Sequence, residues 1–275
     1  MSFARLFRGA LLAALGGTIL LMERKRRARE YVEPPARHMT RNLVIAGLAA
    51  ATVQALEAPA VLPLARMIDR RQCGLTGPMR SRPWLRDLAA ILLLDYTLYI
   101  WHRIAHRVPW LWRFHLVHHV DLDLDASTGL RFHAGELAAS VPWRAAQILA
   151  IGVTTRALVL WQGLTIASVL FHHSNIRLSD RLEDIVSWII ATPRMHAIHH
   201  SIHPAQLQSN FSSGLAIWDR LHGTARFDAR AEEIRVGVPG YLDREDVTLG
   251  RILVMPFSNG SALPRGAADA AKSLE

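Results

Sequence analysis

Histidines in the middle of the chain have the spacing of metal ligands. The sequence reads H-R-I-A-H at 102–106 and F-H-L-V-H-H at 114–119, and a second H-x-x-H-H follows at 196–200. Residues three and four apart share one face of a helix, so each set presents several imidazoles on one side. A given H-x-x-H-H is expected about 0.03 times by chance in a chain of this length, so two copies favour a shared chemical purpose.

The histidines are concentrated rather than spread along the chain. Twelve of the 14 lie between His102 and His203. Neutral imidazole is the commonest metal ligand and suits zinc, copper, iron and nickel. Any one histidine alone would be interpreted as an ordinary surface or core residue, whereas the two repeated sets favour a metal site. The one cysteine, Cys73, excludes an internal disulfide and an iron–sulfur cluster held by this chain alone.

The composition indicates a membrane protein. The chain is 51% hydrophobic and 20% charged, with a mean hydropathy of +0.14, and its apolar residues stand in long blocks. The net charge of +9 comes largely from arginines beside those blocks, which is the pattern of membrane flanks. A basic surface could also bind nucleic acid, but neither a basic helix nor an RNA-binding motif accompanies the charge. We therefore expect no nucleic-acid partner.

The N-terminal stretch predicts a membrane anchor. Residues 9–22 are uncharged and are followed by E-R-K-R-R-A-R-E at 23–30. The apolar run could belong to a signal peptide, yet no small-residue cleavage site follows it. So dense a basic cluster favours the cytoplasmic side of a membrane. We predict that residues 3–22 form a short first span or anchor, within an N-terminal unit of residues 1–30.

The best-defined span in the sequence lies at 42–64. Glu57 is its only charge, and its length suffices to cross about 30 Å of hydrocarbon. Pro59 and Pro63 are expected to end or kink the helix. The arginine-rich residues 66–86 then form an outer loop, which opposes the positive-inside rule. Alternatively, that loop lies at the membrane interface, or the apolar run is a re-entrant pair.

A third span is predicted at 88–101, directly before the first histidine. Asp95 is its only charge and lies seven residues, about two helical turns, before His102. An ionisable residue inside a span is a functional candidate, and Asp95 could orient a histidine. It could equally mark a hydrated helix end.

The apolar region before the third group of histidines predicts two helices rather than one span. Between residues 145 and 171 the only charge is Arg156. A single span would bury this arginine near mid-bilayer, at a cost of about 2.5 kcal/mol or more. We predict a hairpin of helices 137–151 and 157–173 with Arg156 near its tip, followed by a helix around 180–191. The last ten or so residues are typical of a disordered tail.

Polar residues follow the second histidine set. Three aspartates alternate there: Asp121, Asp123 and Asp125. Their spacing is similar to a calcium loop, but the glycine and distal glutamate of an EF-hand are missing, so a solvated loop is the favoured interpretation. The sequence R-F-H-x-x-E then places His133 and Glu136 three residues apart. The isolated His133 is the weaker ligand candidate.

Six motifs follow one another along the chain. They are D-Y-x-x-Y-x-W-H-R-x-x-H at 95–106, L-W-R-F-H-x-V-H-H at 111–119, T-x-L-R-F-H-x-x-E at 128–136, F-x-H-S-N-I at 171–176, T-P-x-M-H-x-I-H-H-S at 192–201, and N-F…W-D-R-L-x-G-T at 210–224. In this order they resemble the fatty acid hydroxylase superfamily, the sterol desaturase-like membrane oxygenases. The resemblance covers about residues 40–257 and implies one catalytic unit there, with residues 258–275 as a flexible tail.

The resemblance implies an all-α fold, in which integral membrane helices carry a cytoplasmic helical cap with a histidine-rich dimetal site. The matching ligand positions are His102, His106, His115, His118, His119, His173, His196, His199 and His200, with His133 as a further candidate. Residues implied to act around the ligands are Asp95, Glu136 and Asn175. Histidines outside the matching positions are His172, His203 and His222.

The activity implied by the resemblance is O2-dependent hydroxylation of a lipid at two iron ions, which cycle between Fe2+ and Fe3+. The lipid could be fatty acyl, sterol-like, carotenoid or an amino-lipid. Electrons need an external donor, a separate reductase, ferredoxin or cytochrome, because the chain has no G-x-G-x-x-G, haem domain or cysteine set. The resemblance also implies a multi-pass membrane protein whose cap faces the cytoplasm.

Three alternatives stay open at this point. Desaturation of a lipid shares the first hydrogen abstraction with hydroxylation. A zinc-dependent membrane hydrolase would also use histidines, but typically fewer, with the glutamate base of H-E-x-x-H, which is absent here. A metal transporter would be expected to place its ligands within spans near the midplane, whereas these sets lie at span ends or beyond. The oxygenase is the favoured interpretation.

Overall fold

The protein is built from helices. The computed structural model describes residues 3–258, and the side chains of residues 9–258. Within that range the elements are helices and turns with three isolated β-bridges and no named strand, which confirms the predicted all-α class. The tail predicted for residues 258–275 lies, apart from Ser258, outside the described residues.

The α-helices of the described residues follow in chain order. They are α1 (Phe3–Lys25), α2 (Pro35–Thr52), α3 (Ala58–Arg71), α4 (Pro83–Arg107), α5 (Pro109–His119), α6 (Ala134–Ile151), α7 (Thr155–His173), α8 (Asp180–Val186), α9 (Pro193–His199), α10 (Pro204–Leu207), α11 (Ile217–Leu221) and α12 (Leu249–Val254). The predicted helix around 180–191 is therefore shorter than expected and ends at Val186.

The predicted span at 42–64 is part of a longer helix. Helices α2 and α3 join through a π-helical turn (Val53–Glu57) into one helix of 37 residues, Pro35–Arg71. Of the two outcomes expected at Pro59 and Pro63, the helix does not end there, since it continues to Arg71. The π turn lies directly before Pro59, whose ring and missing N–H disturb regular α hydrogen bonding without stopping the helix. The arginine-rich loop narrows accordingly to residues 72–82.

Within residues 3–258, two helices are long and apolar enough to cross a membrane: Pro35–Arg71 and Pro83–Arg107. Their outer faces, and that of α7, expose large apolar side chains. These are Leu43, Val44, Leu48, Leu56, Leu88, Leu92, Leu160, Leu164 and Ile166. Exposed apolar faces of this extent are typical of contact with lipid.

Helices α6 and α7 form the hairpin that the sequence predicts. Gly152 ends α6 in the left-handed region at φ +81°, where a Cβ atom would lie 2.2 Å from the carbonyl oxygen of Cys73. Glycine is required there by both the backbone angle and the close approach. Thr154 caps α7 by accepting from the backbone N–H of Ala157, and Arg156 pairs with Asp87 at this end of the hairpin.

An apolar core joins the two candidate spans to the hairpin. Buried side chains from α3, α4, α6 and α7 pack together there, among them Val61, Ile68, Leu94, Ile148 and Leu158. A second core holds α2 and α5 against the C-terminal part of the chain. The packing fixes where α4, α5 and α7 end, and the histidines lie at those ends.

The three alternating aspartates do not form a solvated loop. Asp121, Asp123 and Asp125 are 2%, 5% and 1% exposed. Asp123 accepts from the backbone N–H groups of Val32 and Glu33 at 2.7 and 2.9 Å. The prediction was wrong because hydrogen-bond partners from the distant N-terminal segment compensate the carboxylates for the loss of water.

The N-terminal anchor is helical, and its end is fixed to the histidine-bearing part of the fold. α1 contacts α7, and Glu23 near its end is buried. The Glu23 carboxylate accepts from the backbone N–H groups of Ala126 and Asn175, at 2.9 and 2.8 Å. That α1 spans or anchors in a membrane remains a prediction.

Candidate metal centre

Nine histidines converge where four helices end. They come from the C-terminal turns of α4 (His102, His106), α5 (His115, His118, His119), α7 (His173) and α9 (His196, His199, and His200 directly after it). The C-terminal end of a helix carries partial negative charge on its unpaired carbonyl groups. Four such ends meeting at one place favour a cation there.

The first group is named here the five-histidine cluster. It contains His102, His106, His115, His119 and His199, whose candidate ligand atoms all lie within 4.8 Å of one another. Nε2 of His119 is 3.1 Å from Nε2 of His106 and 3.2 Å from Nε2 of His115. Nε2 of His199 is 3.0 Å from Nε2 of His102. All five side chains are buried.

The second group is the four-histidine cluster, which meets the same 4.8 Å limit: His118, His173, His196 and His200. Nε2 of His173 is 3.1 Å from Nε2 of His118 and 2.9 Å from Nε2 of His196. The two clusters are neighbours, since the rings of His119 and His200 stack with their centroids 4.2 Å apart. This arrangement offers two adjacent metal sites.

The hydrogen bonds made by the Nδ1 atoms in the five-histidine cluster show whether the Nε2 atoms can bind a cation. Nδ1 of His102 lies 2.7 Å from the carbonyl oxygen of Phe211, and Nδ1 of His199 lies 2.7 Å from that of Ser209. A carbonyl oxygen only accepts, so Nδ1 carries the hydrogen in both rings and Nε2 of each neutral ring has a lone pair. These two lone pairs face each other across 3.0 Å. They repel unless a cation is shared between them, so the donor set fits a metal ion.

The four-histidine cluster meets the same test. Nδ1 of His173 donates to the carbonyl oxygen of Val169 at 2.9 Å, so its Nε2 is the lone-pair atom that faces His118 and His196. A hydrogen bond behind a ligating histidine fixes its tautomer and ring orientation. Both clusters therefore present imidazole lone pairs inward.

Burial favours the neutral form of these histidines. Burial, followed by repulsion from neighbouring histidines, lowers the pKa of five of them well below its usual value: His118, His119, His196, His199 and His200. Metal ligation requires the neutral imidazole. The ligand form therefore needs no proton release near neutral pH.

One cavity opens onto both clusters. It has a volume of about 180 Å³ and is lined by His102 and His115 of the first cluster and by His118, His173 and His196 of the second. A larger cavity of about 510 Å³ has an almost wholly apolar lining from α1, α4 and α7. Thr165 of α7 lines both cavities. Together they provide room for an apolar molecule beside the histidines.

Glu136 lies behind the five-histidine cluster, as the sequence predicts for a residue around the ligands. Its Oε1 is 2.8 Å from Nδ1 of His115, and its Oε2 is buried without a hydrogen-bond partner in the described part of the chain. A carboxylate at Nδ1 fixes the tautomer and makes the opposite nitrogen more basic. Glu136 also lines the cavity of about 180 Å³.

Asp95 has a different position from the one predicted. Among the described residues its carboxylate accepts from the backbone N–H of Leu215 at 3.0 Å and from the indole N–H of Trp218 at 2.7 Å, and it contacts no histidine. It therefore joins α4 to the segment that begins at Phe211. Because the Phe211 carbonyl accepts from His102, Asp95 acts on the ligands at most through this segment.

His133 and Asn175 also lie away from both clusters. His133 caps α6, where its Nδ1 accepts from the N–H of Gly135 and its Nε2 is 3.2 Å from the carbonyl oxygen of Leu253. Both ring nitrogens are thereby used, which argues against a ligand role. The side chain of Asn175 exchanges two hydrogen bonds with the backbone of Arg29, so it fixes the segment after α1.

His172 is a residue of the site that sequence reasoning left out. It is fully buried, lines the cavity shared by the clusters, and lies with its ring centroid 4.2 Å from that of His196 and 4.5 Å from that of His173. The available signal was its place beside a predicted ligand in the H-H pair at the end of α7.

Comparison with known proteins agrees with this geometry. The sequence model described as fatty acid hydroxylase matches residues 88–224, about half of the chain, and this range contains all nine clustered histidines. The chain belongs to the fatty acid hydroxylase family. No solved structure matches it significantly.

Curated relatives are similar over part of their length. Ornithine lipid hydroxylase OlsE of Rhizobium tropici is 30% identical over 169 residues, which cover 61% of this chain and 49% of that protein. A cholesterol 25-hydroxylase-like protein of Danio rerio is 33% identical, with coverages of 52% and 56%. Alkylglycerol monooxygenase of Homo sapiens is 30% identical, with coverages of 57% and 33%. The chain thus spans about half or less of the length of these relatives.

Replacing Glu136 is expected to weaken metal binding at one cluster. In a His196→Ala background, in which the five-histidine cluster is the complete one, Glu136→Ala should lower its metal affinity by about 10- to 100-fold, because His115 loses its orienting acceptor. Glu136→Gln keeps an acceptor oxygen and should lose less. Competition with a chelator measures both affinities. Equal affinity of the alanine variant and its parent would contradict the role of Glu136.

Proposed function

We propose that this chain is a membrane-bound, O2-dependent hydroxylase of a lipid, with two iron ions held by the five-histidine and four-histidine clusters. The observation that carries the proposal is the pair of adjacent, buried, all-imidazole clusters that line one cavity. Imidazole suits iron, and bound iron would supply the O2 activation and oxidising power that hydroxylation of an unactivated C–H bond requires.

The chain itself orients the ligands and excludes water. The carbonyl groups of Phe211, Ser209 and Val169 and the carboxylate of Glu136 each fix one histidine ring from behind. The clusters are buried under apolar helices, which limits access of bulk water to a reactive centre. These contacts support a site whose geometry is set before substrate arrives.

A lipid substrate is supported by the cavities and by the relatives. The cavity of about 510 Å³ is apolar and lies between helices whose outer faces are apolar. The relatives named above are described as an ornithine lipid hydroxylase, a cholesterol 25-hydroxylase-like protein and an alkylglycerol monooxygenase. In our proposal the lipid tail occupies this cavity and the reactive carbon lies in the smaller one.

We further propose a multi-pass membrane protein whose histidine-bearing cap faces the cytoplasm. Two candidate spans support the membrane setting, and the basic residues 23–30 support a cytoplasmic position for that end of α1. Electrons would come from a separate reductase, ferredoxin or cytochrome.

Oxygen incorporation tests the proposal directly. Cells that express the protein under 18O2 are expected to accumulate a lipid that carries one 18O atom, absent from cells expressing a His118→Ala/His199→Ala variant. Mass spectrometry of the lipid extracts measures it. Loss of two hydrogens without label would replace hydroxylation by desaturation, a product carrying unlabelled oxygen would indicate chemistry with water, and identical lipid profiles with folded, iron-loaded protein would contradict the proposal.

A further inference from the structure

Helix α6 begins beside the histidines and extends away from them among apolar helices. One face of α6 has polar side chains along this length. Glu136, Ser140 and Arg144 are four residues apart, so they share this face, and all three line the cavity of about 180 Å³. At 1.5 Å per residue, Glu136 and Arg144 are about 12 Å apart along the helix axis. Arg144 lines the same cavity as the histidines, and its guanidinium donates to Gln147, one turn further along α6.

The guanidinium of Arg144 is incompletely bonded. Its side chain is 13% exposed, and its nearest carboxylate is that of Glu57, with Nε 3.8 Å from Oε1. Nε has no hydrogen-bond partner among the described residues. One terminal nitrogen donates to Gln147 at 3.3 Å, and the group stacks over Trp161 with its central carbon 4.7 Å from the ring centroid. A guanidinium has five N–H donors, so donors remain for another acceptor.

The side chain that accepts from Arg144 is itself held by a further hydrogen bond. Gln147 is itself held by Thr97, to whose hydroxyl it donates at 2.6 Å, and this leaves its carbonyl oxygen for Arg144. An arginine within an apolar helix costs free energy and is therefore a candidate for function. A purely structural pair would be expected to bring Arg144 and Glu57 into hydrogen-bond contact, which the 3.8 Å separation does not achieve.

The net charge of Arg144 and its neighbour Glu57 determines which kind of acceptor can bind beside them. Arg144 and Glu57 together are neutral, so an additional anion would be buried without its own counter-charge, which is unfavourable in an apolar region. A neutral oxygen, such as that of a hydroxyl, ether, ester or amide group, accepts from the guanidinium without this cost.

We propose that Arg144 forms a subsite for a neutral oxygen of the lipid. The proposal rests on the proposed lipid hydroxylase function and specifies its substrate class: a lipid with an oxygen substituent about 12 Å from the carbon beside the histidines. A plain hydrocarbon lacks the acceptor and leaves the subsite unused. The tail of the lipid extends past Thr165, which lines both cavities, into the larger one.

Equilibrium binding to the protein as purified in detergent, with O2 excluded so that no turnover occurs, tests the subsite. Tritiated 1-hexadecanol and tritiated hexadecane are the probes. The wild type is expected to bind hexadecanol about 10- to 100-fold more tightly than hexadecane, as a hydrogen bond to a charged group implies. Arg144→Gln should bring hexadecanol affinity close to that of hexadecane and leave hexadecane affinity unchanged. The conservative Arg144→Lys should retain part of the preference.

The controls separate this proposal from others. Arg156→Gln changes an arginine at the far end of the helix hairpin, where Arg156 pairs with Asp87, and should alter neither affinity. An unchanged preference in Arg144→Gln overturns the subsite. If that variant does not fold, the wild-type ratio decides, and a ratio near one overturns it. Because the assay measures binding without turnover, failure of hydroxylation under 18O2 would refute the proposed function without altering this result.

Discussion

Protein purified from iron-rich medium is expected to hold two iron ions per chain. Removal of a single histidine is expected to release iron from the four-histidine cluster more readily than from the five-histidine cluster. His196→Ala leaves three donors in the four-histidine cluster, whereas His106→Ala leaves four in the five-histidine cluster. A cluster that keeps four imidazole donors is expected to hold a metal ion more tightly than one that keeps three. His196→Ala should therefore lower the content by about one ion per chain, while His106→Ala retains most of its metal.

Plasma mass spectrometry of dialysed protein measures this content. A His106→Ala/His119→Ala variant, which leaves three donors in its cluster, should then lose the other ion. His203→Ala removes an exposed histidine outside both clusters and is the matched control. Well-folded wild type without metal would contradict the proposed function, and loss of both ions from either single variant would show that the clusters do not bind independently.

The grouping of histidines within each set could be predicted because its signal is local. Helical spacing alone places His115, His118 and His119 on one side of a helix. The same spacing applies to His196, His199 and His200. The hairpin of α6 and α7 was predictable for a similar reason, since Arg156 interrupts an apolar run too long for one short helix.

The residues behind the ligands could not be assigned from spacing, because their partners are distant in sequence. Asp95 lies two turns before His102 but bonds to Leu215 and Trp218, about 120 residues away. His133 stands in one of the six motifs that carry the resemblance, yet capping α6 uses one of its nitrogens. Backbone carbonyls fix His102 and His199, and a carbonyl oxygen leaves no signature in the sequence.

Asp121→Asn is expected to destabilise the fold by about 3–5 kcal/mol. The carboxylate of Asp121 lies 2.9 Å from Arg131, 3.0 Å from Arg41 and 2.9 Å from His38, and all of these side chains are buried. Asparagine is nearly the same size but leaves Arg131 without its ion-pair partner. Arg131 also donates to the carbonyl oxygen of Val117, so the change should weaken the hold on α5 beside the histidines.

Chemical unfolding in detergent, followed by circular dichroism, measures the free energy of unfolding of Asp121→Asn. Asp184→Asn is the matched control, because the side chain of Asp184 is 72% exposed. Exposed substitutions of this kind usually change stability by no more than about 0.5 kcal/mol. Equal stability of the two variants would contradict a structural role for the buried aspartates.

The pH dependence of the difference between wild type and Asp121→Asn identifies the charge as its cause. Burial alone would raise the pKa of Asp121, but Arg131, His38 and Arg41 lower it well below its usual value. A carboxyl group whose pKa is lower in the folded state stabilises the fold above its unfolded pKa of about 3.9 and loses that contribution as pH falls further. The difference should therefore be constant between about pH 5 and 6, below the range in which the neighbouring His38 of the unfolded chain titrates, and shrink below about pH 4. A difference that persists unchanged in acid would instead assign the loss to packing, because asparagine has no titrating group.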